Sequence, residues 1–224
     1  MKKALMLVSA LAFLAFSCTK PDNPSGEDTG KQPEENTGGN ENNGNTEDQT
    51  PVPTTYTVGD FYKVGLTEGV VGWVDESGEH GLVLSLDEGF AAWSTENRML
   101  TQAGGEFSLS NGQYNCKYIK MLENWKELYP AFAWCDSKNA LGLTSWYLPA
   151  PEELELTLSA VEAMNKTLKE KGATELSLVE TYWTSYEAGA GMAYPFSFRE
   201  GPIYEDYYNS DKNTERRVRA MRKF

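Results

Sequence analysis

The sequence predicts an α+β domain with two main helices and short antiparallel strands, which follows a long polar segment. Three observations carry this prediction. Short apolar runs stand on both sides of the helical stretches, those stretches repeat their apolar residues every three or four positions, and a segment without large apolar residues precedes them all. Strands that flank helices in this order are typical of α+β folds.

The composition is that of an acidic globular protein. The 224 residues carry a formal net charge of −13, and 12% of them are aromatic, which is enough for one domain with a hydrophobic core. Such an acidic chain lacks the basic surface that phosphate contacts need, so we expect no nucleic-acid partner. Because His80 is the only histidine, most histidine-based metal and triad chemistry is excluded. We therefore expect no catalytic residue, no metal and no cofactor.

The first 18 residues have the pattern of a bacterial lipoprotein signal. Lys2 and Lys3 precede an apolar run from Ala4 to Phe16, which is too short for a permanent membrane span. The run leads into Leu-Ala-Phe-Ser-Cys, which resembles a lipobox. We predict a signal peptide over residues 1–17, a lipid anchor through Cys18 and an outer membrane lipoprotein that faces the cell surface or the periplasm. An ordinary signal peptide followed by a free thiol is the alternative.

Residues 18–55 are predicted to form a disordered tether. The stretch from Thr19 to Thr50 contains no alanine, valine, isoleucine, leucine, methionine or aromatic residue. Such a stretch cannot bury enough apolar surface to offset the entropy of ordering. About 37 flexible residues have a root-mean-square reach of roughly 33 Å, which would lift a following domain clear of the lipid. A generic spacer would have the same composition.

The domain over residues 56–224 opens with a predicted hairpin and a first helix. Apolar runs from Gly69 to Val74 and from Gly81 to Leu86 flank a turn at residues 75–78. Pro130 interrupts the helical pattern that follows and is able to start a short new helix. The apolar stripe of the first helix consists of Tyr118, Met121, Leu122, Trp125 and Leu128.

A second helix and three strands complete the predicted domain. The helix begins at Pro151, where a first turn tolerates proline, and Gly172 ends it. The predicted strands cover residues 182–186, 192–198 and 216–221, and a long loop at residues 199–214 joins the last two.

Cys116 and Cys135 are the two cysteines of this domain. A disulfide is chemically permitted in an exported protein, but a helix between the two residues would hold them more than roughly 20 Å apart. They pair only if the chain reverses near Pro130. Two small buried residues are the interpretation that we favour.

Four motifs in sequence order resemble a known signature. They are residues 59–62 (GDFY) with 80–83 (HGLV), residues 146–154 (WYLPAPEEL), residues 182–185 (YWTS) and residues 218–224 (VRAMRKF). Together they resemble the Lcl C-terminal domain family, named for the C-terminal domain of a collagen-like bacterial adhesin. The resemblance implies a C-type-lectin-like fold over most of residues 56–224. Its structural motif residues in this chain are Trp146, Leu148, Pro149, Glu153, Trp183 and Arg219.

Two consequences of this resemblance concern particular residues. Ala150 stands where the motif usually has a serine, so a side-chain helix cap worth about 1 kcal/mol is missing.

The last nine residues contain five basic residues and no acid, which suits either a strand whose arginines pair with acids of the domain or a surface for anionic glycans. We predict that Arg219 pairs with Glu153, because both lie in the strongest motifs.

The long loop holds the candidate ligand-binding residues. Tyrosine rings stack on sugar faces, and hydroxyls and carboxylates bind sugar hydroxyls, although the same rings would also suit a loop that folds back over the core. The candidates are Tyr204, Asp206, Tyr207, Tyr208 and Asp211. The Glu-Pro-Asn, Gln-Pro-Asp and Trp-Asn-Asp triplets of calcium-dependent lectins of this fold do not occur in the sequence. We therefore expect non-catalytic recognition of a glycan or a partner protein, or, as the alternative, a structural or accessory subunit of a cell-surface assembly.

Overall fold

The computed structural model describes residues 55–101, 106–140, 145–204 and 211–224. All of them fall within one compact unit, Gln49–Phe224. The described residues form two β-sheets and several short helices, so the α+β class is confirmed. The predicted signal peptide, Cys18 and all of the predicted tether except Thr55 lie outside the described residues.

The first sheet is antiparallel and contains the predicted hairpin. Its strand order is β1–β2–β3–β9. The strands are β1 (Phe61–Val64), β2 (Thr67–Val74), β3 (Gly81–Leu84) and β9 (Met221–Lys223). The Asp75 carboxylate accepts hydrogen bonds from the backbone N–H groups of Ser77 and Gly78, at 3.1 and 3.0 Å, which fixes the hairpin turn. His80 is an exposed residue at this turn, and its carbonyl accepts from the Asp75 N–H.

The second sheet has the strand order β4–β8–β5–β6–β7. The strands are β4 (Gly89–Ala92), β5 (Tyr182–Glu187), β6 (Ala193–Ser197), β7 (Gly201–Pro202) and β8 (Glu215–Val218). β5 and β8 run parallel, and the other neighbours are antiparallel. The sequence pattern predicted β5 and β6, but β4 and β7 are too short to show a periodicity of their own.

The predicted strand over residues 216–221 is wrong as a single element. The chain leaves the second sheet after Val218 and enters the first sheet at Met221. Next to this crossover runs another one, from β3 to β4. The two are joined where the Ser85 N–H donates to the Ala220 carbonyl at 2.9 Å, and the Ala220 N–H donates to the Ser85 hydroxyl at 3.2 Å. One continuous strand would keep all six residues in one sheet, whereas this chain uses Arg219 and Ala220 to change sheets.

The predicted first helix is divided into two pieces, α1 (Gly112–Lys120) and α2 (Trp125–Leu128). The short helix predicted after it is α3 (Pro130–Ser137). Asn124 has a left-handed φ of 54°, which a continuous helix cannot contain. Pro130 stands at the start of α3, as predicted, because its missing N–H costs nothing in a first turn.

The predicted second helix begins and ends near the expected residues but is interrupted. It consists of α4 (Pro151–Leu156), a 3₁₀ turn (Leu158–Ala160) and α5 (Val161–Glu170). The buried Thr157 hydroxyl donates to the Leu154 carbonyl at 2.8 Å, where the helix changes type. Gly172 has a φ of +65° and follows the end of α5, as predicted for a C-terminal glycine.

Candidate functional site

Three tyrosines form a cluster beside the start of the long loop. The rings of Tyr186 and Tyr194 are stacked, with centroids 5.3 Å apart and planes 3° from parallel. Tyr204 meets Tyr194 edge-on, with centroids 5.1 Å apart and an interplanar angle of 84°. Tyr204 is 41% exposed, whereas Tyr186 and Tyr194 are half-buried. The tyrosine cluster therefore presents one open ring that two others support.

The backbone of β6 and β7 places Tyr204 in this cluster. Gly201 pairs with Ser197 and Pro202 with Phe196. The Ile203 N–H then donates to the Pro195 carbonyl at 3.0 Å, which continues the ladder by one residue. Tyr204 follows directly and comes level with Tyr194. The strand pairing fixes the backbone up to Ile203, and the edge-on contact with Tyr194 positions the Tyr204 ring.

The other described end of the long loop returns to the same strand region. Asp211 is exposed and forms an isolated bridge with Met192, and the Lys212 N–H donates to the Gly191 carbonyl at 2.8 Å. The predicted candidates Tyr204 and Asp211 are therefore both anchored beside β6. The other three predicted ligand-binding residues, Asp206, Tyr207 and Tyr208, lie outside the described residues.

Carboxylates of α4 lie close to the exposed ring. Burial raises the pKa of the Tyr204 hydroxyl above its ordinary value of 10.0, and the charges of Glu155 and Glu152 raise it further. Glu152 and Glu155 also line a cavity of about 290 Å³ with Ser110. A neutral phenol beside two carboxylates supplies both a hydrogen-bond donor and acceptors, which is the set that sugar hydroxyls require.

A buried ion pair holds the base of the long loop. The Lys212 ammonium lies 2.5 Å from a carboxylate oxygen of Glu187, and both side chains are fully buried. The same ammonium donates to the carbonyls of Arg98 and Ala190, at 3.0 and 3.1 Å, and lies 4.6 Å from the ring centroid of Trp93. Burial lowers the pKa of Lys212, an effect that the attraction of Glu187 opposes. This pair was not predicted from the sequence.

The predicted pair between Arg219 and Glu153 is wrong. The Arg219 guanidinium lies at the crossover between the sheets, 2.9 Å from a carboxylate oxygen of Glu88. It also donates to the carbonyls of Ser85 and Thr174, each at 2.8 Å. The planar guanidinium group carries several N–H donors that point in different directions. It can therefore bind acceptors on both of the adjacent connections between the two sheets. The role of Arg219 is therefore to join the two sheets.

Glu153 has a different set of partners. Its carboxylate accepts from the N–H groups of Gly112 and Ala150, both at 2.9 Å, and from the Tyr147 hydroxyl at 3.0 Å. The ammonium of Lys223 lies 3.1 Å away. Glu153 is therefore joined to the C-terminal strand by Lys223 and not by Arg219. Ala150 offers no side-chain cap, as predicted, and Glu153 supplies the reciprocal bond of a capping box from within the helix.

The remaining motif residues are buried at the junctions of elements. The Trp183 indole N–H donates to the carbonyls of Ala91 and Thr214, at 3.1 and 3.2 Å, so it spans neighbouring strands. The Pro149 carbonyl accepts from the Ser185 N–H at 2.7 Å. Trp146 and Leu148 are 4% and 0% exposed.

The two domain cysteines are buried free thiols. The Cys116 thiol contacts the backbone of Leu148, accepting from its N–H at 3.3 Å and donating to its carbonyl at 3.6 Å. Burial raises the pKa of the Cys116 thiol to about 12 and that of Cys135 well above its ordinary value. Thiols in such surroundings are poor nucleophiles and poor metal ligands.

Two features of the described part of the chain concern metal binding and membrane insertion. No group of three or more histidine, cysteine, aspartate or glutamate side chains in these ranges is arranged to hold a metal ion. None of the helices in the same ranges combines the length and the apolar character of a membrane span.

Comparisons with known proteins give a similarity of fold. No family model matches the chain, and no curated protein is similar to it. Among solved structures, a fimbrial protein from Bacteroides ovatus ATCC 8483 is similar, with a TM-score of 0.56 and 18% sequence identity. The match covers 75% of this chain and 49% of that one, so this chain corresponds to about half the length of the fimbrial protein. Such a similarity concerns the fold and assigns no function.

Proposed function

We propose that this chain is a surface lipoprotein whose domain binds carbohydrate, without catalysis, at the tyrosine cluster. The observation that carries the proposal is the placement of Tyr204. Its ring is 41% exposed, rests edge-on against Tyr194, and lies near the carboxylates of Glu152 and Glu155. An open aromatic ring near carboxylates suits the apolar face and the hydroxyl rim of a sugar.

The resemblance to the Lcl C-terminal domain family supports the same proposal. A C-type-lectin-like fold would place a recognition site on loops at one end of the domain, and Tyr204 belongs to such a loop. Lipidation of Cys18 and a tether over residues 18–55 would hold this domain away from the outer membrane. The proposed site uses rings and side-chain oxygens, so its binding requires no calcium.

A glycan array tests this proposal on the purified protein, with neutral and sulfated glycans, in calcium and in chelator. We expect binding that chelation leaves unchanged and that Tyr204→Ala reduces at least about tenfold, the loss of one stacked ring and its hydroxyl contact. Tyr114→Ala is the matched control, because Tyr114 is 49% exposed but lies on α1, outside the tyrosine cluster. The absence of binding to every glycan on the array would refute carbohydrate binding at this site. Equal losses of glycan binding in Tyr204→Ala and Tyr114→Ala would refute it as well.

A second candidate function is that of an accessory subunit in a cell-surface fibre. It is supported by the shared fold with a fimbrial protein and by exposed apolar side chains in a groove beside the edge strand β4, whose lining is otherwise polar and charged. Phe90 and Val179, which are 61% and 91% exposed, line this groove with Ile203. Exposed apolar side chains at a sheet edge are typical of surfaces that a partner covers.

Gentle detergent extraction followed by size analysis tests this second candidate. An accessory subunit would elute in a complex larger than one chain, and Phe90→Ser with Val179→Ser would release it. Elution of the unaltered protein as a single chain would argue against the assembly role and leave carbohydrate binding untouched.

A further inference from the structure

A cavity beside α1 lies apart from the tyrosine cluster. Its volume is about 440 Å³, within the range of small-molecule sites. Residues of α1 form one wall, and the segment just before Leu148 forms the other. The lining residues that matter here are Cys116, Lys117, Lys120, Met121, Trp146 and Tyr147.

The walls of this cavity are mainly apolar. Trp146 and Tyr147 are 4% and 3% exposed, so they form a fixed surface. Asn139 holds the backbone of Trp146 with a pair of hydrogen bonds, at 2.8 and 2.9 Å. Met121 is 68% exposed at the rim, a high value for a large apolar side chain. Methionine adapts its shape to flat ligands, and its exposure here leaves apolar surface for one.

The charges of the cavity are positive although the protein is strongly acidic. Lys117 and Lys120 both line it, and no aspartate or glutamate among the described residues does. The Asp136 carboxylate pairs with Lys120 but also with Lys126, so it does not neutralise both. Lys117 forms no ion pair within the described ranges. A net positive charge therefore remains at the mouth of the cavity.

The backbone next to the cavity is strained at one residue. Ser145 lines the cavity and has a φ of 82°, in the left-handed region that serine rarely adopts. Left-handed backbone at a non-glycine residue occurs preferentially at ligand-binding positions.

We infer that this cavity binds a small organic anion with a flat apolar body, such as an aromatic carboxylate or sulfonate. The ring system contacts Met121 and Trp146, and the acid group pairs with Lys117 and Lys120. The lysines select a negatively charged group, and the apolar wall selects an apolar body. The ligand class follows from the two features together.

Two fluorescent probes of similar shape test this inference on the purified protein. Anilinonaphthalene sulfonate carries the required negative charge, and phenylnaphthylamine is its uncharged counterpart. We expect Lys117→Glu to weaken sulfonate binding about tenfold, because attraction at a surface site becomes repulsion. The same variant should leave phenylnaphthylamine binding unchanged, whereas Met121→Gln should weaken both probes.

Lys166→Glu is the matched control, since Lys166 is an exposed lysine on α5 and does not line the cavity. It changes the net charge by the same amount, so any probe bound elsewhere responds equally in the two charge reversals. Equal sulfonate affinities in Lys117→Glu and Lys166→Glu would overturn the inference. Equal losses of the charged and uncharged probes in Lys117→Glu would overturn it as well. The three replaced side chains are on the surface, and near-ultraviolet circular dichroism verifies that each variant is folded.

Discussion

The buried ion pair between Lys212 and Glu187 makes the base of the long loop sensitive to a single substitution. Both side chains are fully buried, and their charged atoms are 2.5 Å apart. The Glu187 carboxylate also accepts from the N–H groups of Leu100 and Thr101, at 3.0 and 2.9 Å. Lys212→Met removes the cation and leaves this carboxylate buried without a counter-charge.

The expected cost follows from that unpaired charge. Breaking a buried ion pair from one side lowers the free energy of unfolding by about 3–5 kcal/mol. In a domain of this size each kcal/mol shifts the melting temperature by about 2–4 °C, so Lys212→Met should lower it by roughly 6–20 °C. Lys212→Met combined with Glu187→Gln should cost less than the sum of the two single changes, because no charge is then buried alone.

Urea and thermal unfolding of the two single variants and the double variant measure these differences as a double-mutant cycle. Lys63→Met is the control, because the ammonium of Lys63 pairs with Glu68 at 2.9 Å on the surface, where both side chains are exposed. That change should cost no more than about 1 kcal/mol. The reasoning is refuted if Lys212→Met costs as little as Lys63→Met, or if the two single changes are additive in the double variant.

Three other predictions concern stability and thiol reactivity. Arg219→Lys keeps the positive charge but removes the guanidinium group that joins the two connections between the sheets. Urea unfolding should therefore show a free energy of unfolding lower by about 2–4 kcal/mol. A decrease as small as that of Lys63→Met would contradict the assigned role. Burial raises the pKa values of Cys116 and Tyr129 to about 12, from ordinary values of 9.0 and 10.0. The unfolded chain therefore releases these protons first, and the urea midpoint should fall as the pH rises from about 9 to about 12; a rising midpoint would show that these groups are not buried. Cys116 and Cys135 should react with a thiol reagent at pH 8 only after urea is added, and rapid reaction of the native protein would disprove their burial.

Some elements of this fold could be predicted from the local sequence pattern alone. The hairpin of β2 and β3 could be predicted because its turn residues and its apolar runs are adjacent in the chain. Gly172 marked the end of α5 for the same reason, since a left-handed residue after a helix is a local requirement. The breaks at Asn124 and Thr157 could not be predicted, because apolar periodicity continues across them and the structure bends there for tertiary reasons.

Residues that depend on distant partners were the ones that sequence reasoning missed. Arg219 binds Glu88, which is 131 positions away, and the two meet only because both crossovers between the sheets lie side by side. Family motifs suggested Glu153 as its partner instead, since motifs mark important residues without pairing them.

The tyrosine cluster was predicted only in part, for a similar reason. Tyr204 stood out because large rings are rare in long loops. Tyr186 and Tyr194 were absorbed into predicted strands, where aromatic residues are common and attract no attention. In the structure Tyr186 and Tyr194 are the residues of β5 and β6 that are not buried, whereas their strand neighbours are. No alternation of apolar and polar residues in these strands marks them out in the sequence.

The measurement that tests the central claim most directly is a titration followed by proton NMR of the tyrosine rings. The purified protein is titrated with the glycan that gives the strongest signal on the array, and Tyr204→Phe and Tyr114→Phe assign the ring signals of these two residues. We predict that the Tyr204 ring signals shift in proportion to the bound fraction and that those of Tyr194 follow, while the Tyr114 signals stay in place. Saturation of the protein with unmoved Tyr204 signals would contradict the claim that the tyrosine cluster is the carbohydrate-binding surface.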